Sequence, residues 1–277
     1  MPKPTSVIKD IEIRACTTEK QEFGEDWSNS KGLNFTVITM TDQDGVKGTS
    51  FGFGALDSTI AGKAMSAIKP FFIGRDTFDT ERSIRDFENF DRKWNHVPIY
   101  AYGPFDNACW DIKGKVAGLP VYKMLGAARE EVPVYVSSGV LESVEAYVAE
   151  ALEVKAKGFK GYKLHPPGMV EGGKMEMDIE AYKAVREAVG PDFPLMADPV
   201  IGHNYEEALK VGRELEKLNF LWLEEPVLDV DFTSLRKLRE KLNIPIIATE
   251  VLAGANYSTA MYIKEGIVDI VRSDVSW

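Results

Sequence analysis

The chain has 277 residues, 44% hydrophobic and 27% charged, an ordinary globular composition with room for more than one domain. Its net charge of −10 argues against a nucleic-acid partner, which calls for a basic face. It has no apolar run of signal-peptide or membrane-spanning length, and its two cysteines, Cys16 and Cys109, lack metal-type spacing, so a reduced, cytoplasmic chain with free thiols is expected.

Taken in order, residues 7–16 alternate as a strand, and residues 33–52 read as a hairpin turning at Asp44-Gly45. Between them, residues 17–32 are polar and contain glycine. They read as a surface loop or as a mobile lid carrying Trp27. Helical patterns run from about Ser58 to Lys123, and the helix within residues 104–126 is ended by Gly118 and Pro120. In it Ala108, Cys109, Ile112 and Val116 recur at helical spacing, as core positions do.

From residue 132 the pattern becomes strict strand–helix alternation. The strands are VPVYVSSG, GYKLHP, PLMADPV, FLWLEEP, IPIIATE and VDIVRSD, with five helices between them. Such alternation predicts a parallel α/β sheet. Eight units of this length would need about 208 residues, so residues 131–277 accommodate about six. The expected architecture is an N-terminal α+β capping domain over residues 1–130 and an incomplete (β/α) TIM-type barrel over residues 131–277. A fragment of a longer protein is the expectation; a natural six-stranded open sheet is the alternative.

Asp198, Glu224 and Glu250 each stand where an apolar strand stops, and each is 26 residues from the next. Asp274 follows 24 residues after Glu250. In a parallel barrel all strand C-termini open on one face, the face of the active site. Acids gathered there repel one another unless a cation sits among them, and all-oxygen ligands favour a hard ion such as Mg²⁺. On GYKLHP, Lys163 and His165 share one face while Tyr162 and Leu164 take the other. Trp222 likewise accompanies Glu224, and Arg272 accompanies Asp274.

A lysine, a histidine and a carboxylate-held cation suit removal of a proton next to a carboxylate. His165 would take the proton, and Lys163 and the metal would stabilise the enediolate. Singly, each residue has a plainer reading: a strand-end acid as a helix cap or ion-pair partner, Glu225-Pro226 as a turn, Asp274 paired with Arg272 or Lys163. The conjunction carries the weight.

The order Lys163-x-His165, Asp198, Glu224-Glu225-Pro226, Glu250, Asp274 resembles the enolase superfamily in its mandelate racemase-like branch. The likeness runs over nearly the whole chain. It implies that Asp198, Glu224 and Glu250 bind Mg²⁺, that Lys163 and His165 are catalytic, and that Asp274 orients a histidine after a seventh strand. It also implies two substrate-closing loops at residues 17–32 and about 50–58, a small carboxylate substrate, and homo-oligomers for the full-length parent. Dehydration of a sugar acid is the expected reaction. Racemisation or epimerisation of a hydroxy acid is the second reading, and a non-catalytic fragment keeping the metal site is the third. The chain departs from the family's usual Lys-x-Lys at His165 and from its usual asparagine at Val200, and it ends before a seventh strand. His203 and Asn204 read as loop or capping residues, or as substrate contacts.

Overall fold

The computed structural model describes residues 5–18, 34–53, 57–95, 97, 99–169, 173–252 and 255–275. They form two compact units. One gathers residues up to Glu130 together with those from Asp274 onward, and the other spans Glu131–Ser273.

The first unit begins with an antiparallel sheet of β1 (Ile8–Thr17), β2 (Asn34–Asp42) and β3 (Lys47–Phe53), in that order. Alternation buries Ile11, Ile38 and Met40 on one face, and a register shift between Ile8 and Asp10 brings Ile8 to the same face. The hairpin turns where Asp42 accepts from the backbones of Asp44 and Val46, and Gly45 takes the left-handed φ of 86° that the turn needs. Helices α1 (Ser58–Phe72), α2 (Thr80–Phe90) and α3 (Gly103–Ala117) bury Met65, Ile68, Phe72, Phe87 and Phe105 in the same core. Phe72 stacks on Phe105 with ring centres 4.5 Å apart. Gly48 permits the close seat of α3 on β3, because a Cβ there would stand 2.2 Å from the Ala108 carbonyl. Gly118 ends α3 at a φ of 66°, as expected, and a short α4 (Val121–Met124) follows. Ala108, Cys109 and Ile112 are buried as predicted. Val116 is 40% exposed, at the last turn of α3. The two cysteines are free thiols.

The second unit is a parallel sheet of six strands in sequential order: β4 (Val136–Ser137), β5 (Tyr162–Leu164), β6 (Leu195–Ala197), β7 (Leu223–Glu224), β8 (Ile246–Ala248) and β9 (Ile270–Val271). Helices α5 (Val144–Ala156), α6 (Met175–Val189), α7 (Tyr205–Lys217), α8 (Phe232–Lys241) and α9 (Ala255–Lys264) alternate with them. This is an incomplete (β/α) barrel with six of its eight strands.

Tyr162, Leu164, Leu195, Ala197, Leu223, Ile246 and Ala248 point outward and pack on the helices. The alternate positions, Lys163, Met196, Glu224 and Ile247, therefore line the other face. Arg186, which no sequence pattern marks, is a structural tie. Its guanidinium donates to the carbonyls of Leu218, Gly190, Phe193 and Asn219 at 2.7–3.0 Å, joining the ends of α6 and α7 to the approach of β6. Among the described residues, no helix is long and apolar enough to cross a membrane.

Candidate active site

Five of the predicted site residues meet at the C-terminal ends of β5 to β8. Lys163 lies within β5 and His165 just past it; Asp198 follows β6, Glu224 ends β7, and Glu250 comes two residues after β8. The Lys163 ammonium donates to Asp198 Oδ2 at 2.5 Å and to Glu224 Oε2 at 3.2 Å. His165 Nε2 stands 3.1 Å from the same Asp198 oxygen. Trp222 Nε1 donates to Glu224 Oε2 at 3.0 Å. Glu224 is completely buried, and Lys163 and Asp198 nearly so.

Arg272, which follows β9, does not turn to Asp274 as alternation alone suggested. Its guanidinium bridges two other acids: Nη1 bonds Glu224 Oε1, and Nη2 donates to Glu250 Oε1 at 2.8 Å. Two cations, Lys163 and Arg272, thus stand among three carboxylates. Asp274 is half-buried, three residues past the end of β9.

The electrostatics follow from this crowding. Burial works against charge on Lys163, but Asp198 and Glu224 hold it above its ordinary value. Burial also opposes ionisation of Asp198, and the His165 hydrogen bond and the Lys163 charge overcome it and hold Asp198 low. Glu250 is lifted above the usual carboxylate range, first by burial and then by the Glu224 and Asp198 charges, despite Arg272 beside it. Burial pushes Glu225 up to about 7.

His165 is held from three sides. Its backbone N–H donates to Ser138 Oγ at 2.9 Å, and its carbonyl accepts from the Tyr147 hydroxyl at 2.5 Å. Its Nδ1 lies 2.6 Å from the Ser138 carbonyl. A carbonyl only accepts, so Nδ1 carries the hydrogen there, and Nε2 is the nitrogen that faces Asp198. Ser138 and Tyr147 were not singled out in the sequence, because neither stands at a strand-end position with a charge.

The loops after the strands are locked to one another by unusual backbone. Val200, Ile201, Glu225 and Thr249 all have left-handed φ, at 43°, 55°, 39° and 87°. Val200 N donates to Asp198 Oδ1 at 3.2 Å, and Ile201 N donates to the Glu225 carbonyl. Glu225 is more than a turn former: its carboxylate accepts from the Glu250 backbone at 2.9 Å and so positions the third acid.

Asn204 takes a capping role, closing a reciprocal capping box with Glu207 at the start of α7. His203 is buried with its Nε2 3.3 Å from Asp178 Oδ2, while Asp178 Oδ1 accepts from Gly168 N at 2.6 Å. Burial pushes Asp178 up to about 7 and lowers His203. A carboxyl raised this way contributes stability that is complete below its unfolded value near 4 and lost as pH rises to about 7. Asp178→Asn keeps the Gly168 bond without that titration. Its stability relative to the parent is expected to improve between pH 5 and pH 8 in urea denaturation. A difference independent of pH would show that Asp178 folds as the anion.

Residues 19–33, with Trp27 and most of the first predicted loop, and residues 54–56 of the second lie outside the described residues. Among the described residues, no three acidic, histidine or cysteine side chains are gathered closely enough to hold a metal as they stand. The donor set nonetheless fits a hard divalent cation. Three carboxylates end consecutive strands, their charges already draw in Lys163 and Arg272, and Glu250 stays lifted even so.

Residues 28–126 match the profile of the mandelate racemase / muconate lactonizing enzyme N-terminal domain, and residues 146–277 match the enolase C-terminal domain-like profile. The chain is 30% identical to the D-mannonate dehydratase of Caulobacter vibrioides, over 88% of this chain and 68% of that protein. It is an enolase-superfamily chain of the mandelate racemase/muconate lactonizing enzyme family. Within the superfamily it is also 37% identical to arabinonate dehydratase from Saccharolobus solfataricus, over 65% of this chain and 48% of that one. The magnesium complex of D-glucarate dehydratase from Agrobacterium tumefaciens superimposes with a TM-score of 0.84 at 32% identity, covering 98% of this chain and 74% of that chain. The chain thus spans from about half to three quarters of the length of these relatives.

Proposed function

We propose that this chain carries the Mg²⁺-dependent proton-abstracting site of a sugar-acid dehydratase. The observation that carries the reading is the meeting of Lys163 Nζ and His165 Nε2 on one oxygen of Asp198, beside two further strand-end carboxylates. The relatives named above as arabinonate, D-mannonate and D-glucarate dehydratases support the substrate class.

Asp198, Glu224 and Glu250 would hold the magnesium ion. The ion would supply Lewis-acid stabilisation of the substrate carboxylate. His165 Nε2 takes the α-proton, because Ser138 fixes the hydrogen on Nδ1 and Tyr147 fixes the backbone. Lys163, kept charged by Asp198 and Glu224, donates to the enediolate oxygen that develops. The proton now on Nε2 leaves with the β-hydroxyl as water, and the enol that remains becomes a 2-keto acid. One C–H and one C–O bond break, and the imidazole returns to its starting form.

The test is incubation with Mg²⁺ and a panel of aldonic and aldaric acids, with semicarbazide detection of 2-keto product. A product is expected for at least one acid. His165→Asn should lower the rate by about 10²–10⁴-fold, the usual worth of a positioned proton acceptor. Exchange of the α-proton with solvent deuterium but no keto product would replace dehydration by racemisation or epimerisation. Magnesium binding with neither reaction would leave a binding site alone.

A further inference from the structure

We propose that Arg272 is a built-in competitor for the metal: it occupies the carboxylates of Glu224 and Glu250 and is the cation that leaves when a divalent ion enters. The inference rests on the magnesium reading above and goes beyond it by naming the residue that sets the affinity.

The argument starts from Glu224. A carboxylate with no exposure to water is strongly destabilising unless it is paired. Each Glu224 oxygen is engaged, Oε2 by Lys163 and Trp222 and Oε1 by Arg272. Arg272 also reaches Glu250 Oε1 at 2.8 Å, so one guanidinium joins two of the three proposed ligands. A fork of two N–H donors across two carboxylates neutralises the charge that a divalent ion would otherwise neutralise.

The two cations of the cluster differ in freedom. The Lys163 side chain is 5% exposed and sits on the strand itself, against Asp198 and Glu224. The Arg272 side chain is 28% exposed, beyond the end of β9, so it has a path to water. The Glu250 side chain that it bonds is 30% exposed. Lys163 is thus the fixed charge and Arg272 the exchangeable one. Without metal, two cations offset most of the charge of three carboxylates, and the ion must displace a bonded guanidinium to bind.

The experiment compares Mg²⁺ binding by the parent and by Arg272→Met, which keeps bulk and removes the fork. It uses titration calorimetry, with thermal unfolding with and without Mg²⁺ as the second readout. Competition predicts that Arg272→Met melts lower than the parent without metal. It also predicts Mg²⁺ binding tighter by about tenfold or more, within the usual range for linked sites. Its melting temperature should then rise further on Mg²⁺ addition than the parent's does. Arg272→Lys, which keeps the charge and loses the fork, should fall between the two and serves if the methionine variant does not fold. Equal or weaker Mg²⁺ binding by both variants, with the parent binding normally, would overturn the role given to Arg272. Absence of Mg²⁺ binding in the parent and in both variants would overturn the metal reading itself.

Discussion

Lys163→Met should unfold at markedly lower denaturant than the parent, by about 3–5 kcal/mol, the usual cost of breaking a buried ion pair from one side. Lys163 is the shared partner of Asp198 and Glu224, and all three are almost without solvent contact. Methionine fills the space but leaves two carboxylates with too little positive charge. Arg272 compensates only Glu224 and Glu250, because it makes no bond to Asp198. If the three acids form a cation site, Mg²⁺ should restore part of the lost stability, because a divalent ion replaces the missing charge. Urea denaturation at 0 and 10 mM Mg²⁺, about two concentrations that bracket typical protein magnesium sites, separates the two effects. A loss below about 1 kcal/mol would mean that the cluster admits water and that burial is not what Lys163 offsets.

Glu224→Gln should weaken Mg²⁺ binding by at least about a hundredfold, the upper end of what losing an outer partner alone does. Glutamine is isosteric and can still accept from Trp222 Nε1 and Lys163 Nζ, so the fold should persist. The lost charge frees Arg272 from one of its two carboxylates, and the guanidinium should remain on Glu250. Circular dichroism should be unchanged while calorimetry shows the lost affinity. Unchanged affinity would remove Glu224 from the ligand set.

Much of this was legible in the residues because two periodicities reinforce each other. Strand alternation places Lys163 and His165 on one face, and the structure has both on Asp198 Oδ2. The 26-residue repeat sets Asp198, Glu224 and Glu250 at consecutive strand ends, and β6, β7 and β8 run parallel in that order. The hairpin at Gly45 and the helix stop at Gly118 were readable because each needs a left-handed φ.

What the chain concealed depends on direction in space. Alternation puts Arg272 on the same side as Asp274, but its long side chain reaches instead to Glu224 and Glu250, across β7 and β8. Ser138 and Tyr147 hold His165 through backbone groups, which leave no charge pattern to read. Arg186 bonds four carbonyls, and carbonyls are present at every residue. Val116 follows the helical stripe by spacing yet stands in the last turn of α3, where it is left exposed.

The left-handed run at Val200 and Ile201 bears on how this protein could be engineered. Two successive β-branched residues hold a conformation that costs about 1–2 kcal/mol at each ordinary residue. Their amides go to Asp198 and to the Glu225 carbonyl, so the strained backbone holds the loops that carry these two acids. Glycine or asparagine there would raise the melting temperature, and selection for heat tolerance alone would find it. The same change would loosen the loop beside Asp198, so a thermostable variant chosen without a metal-binding screen would tend to hold that carboxylate less firmly.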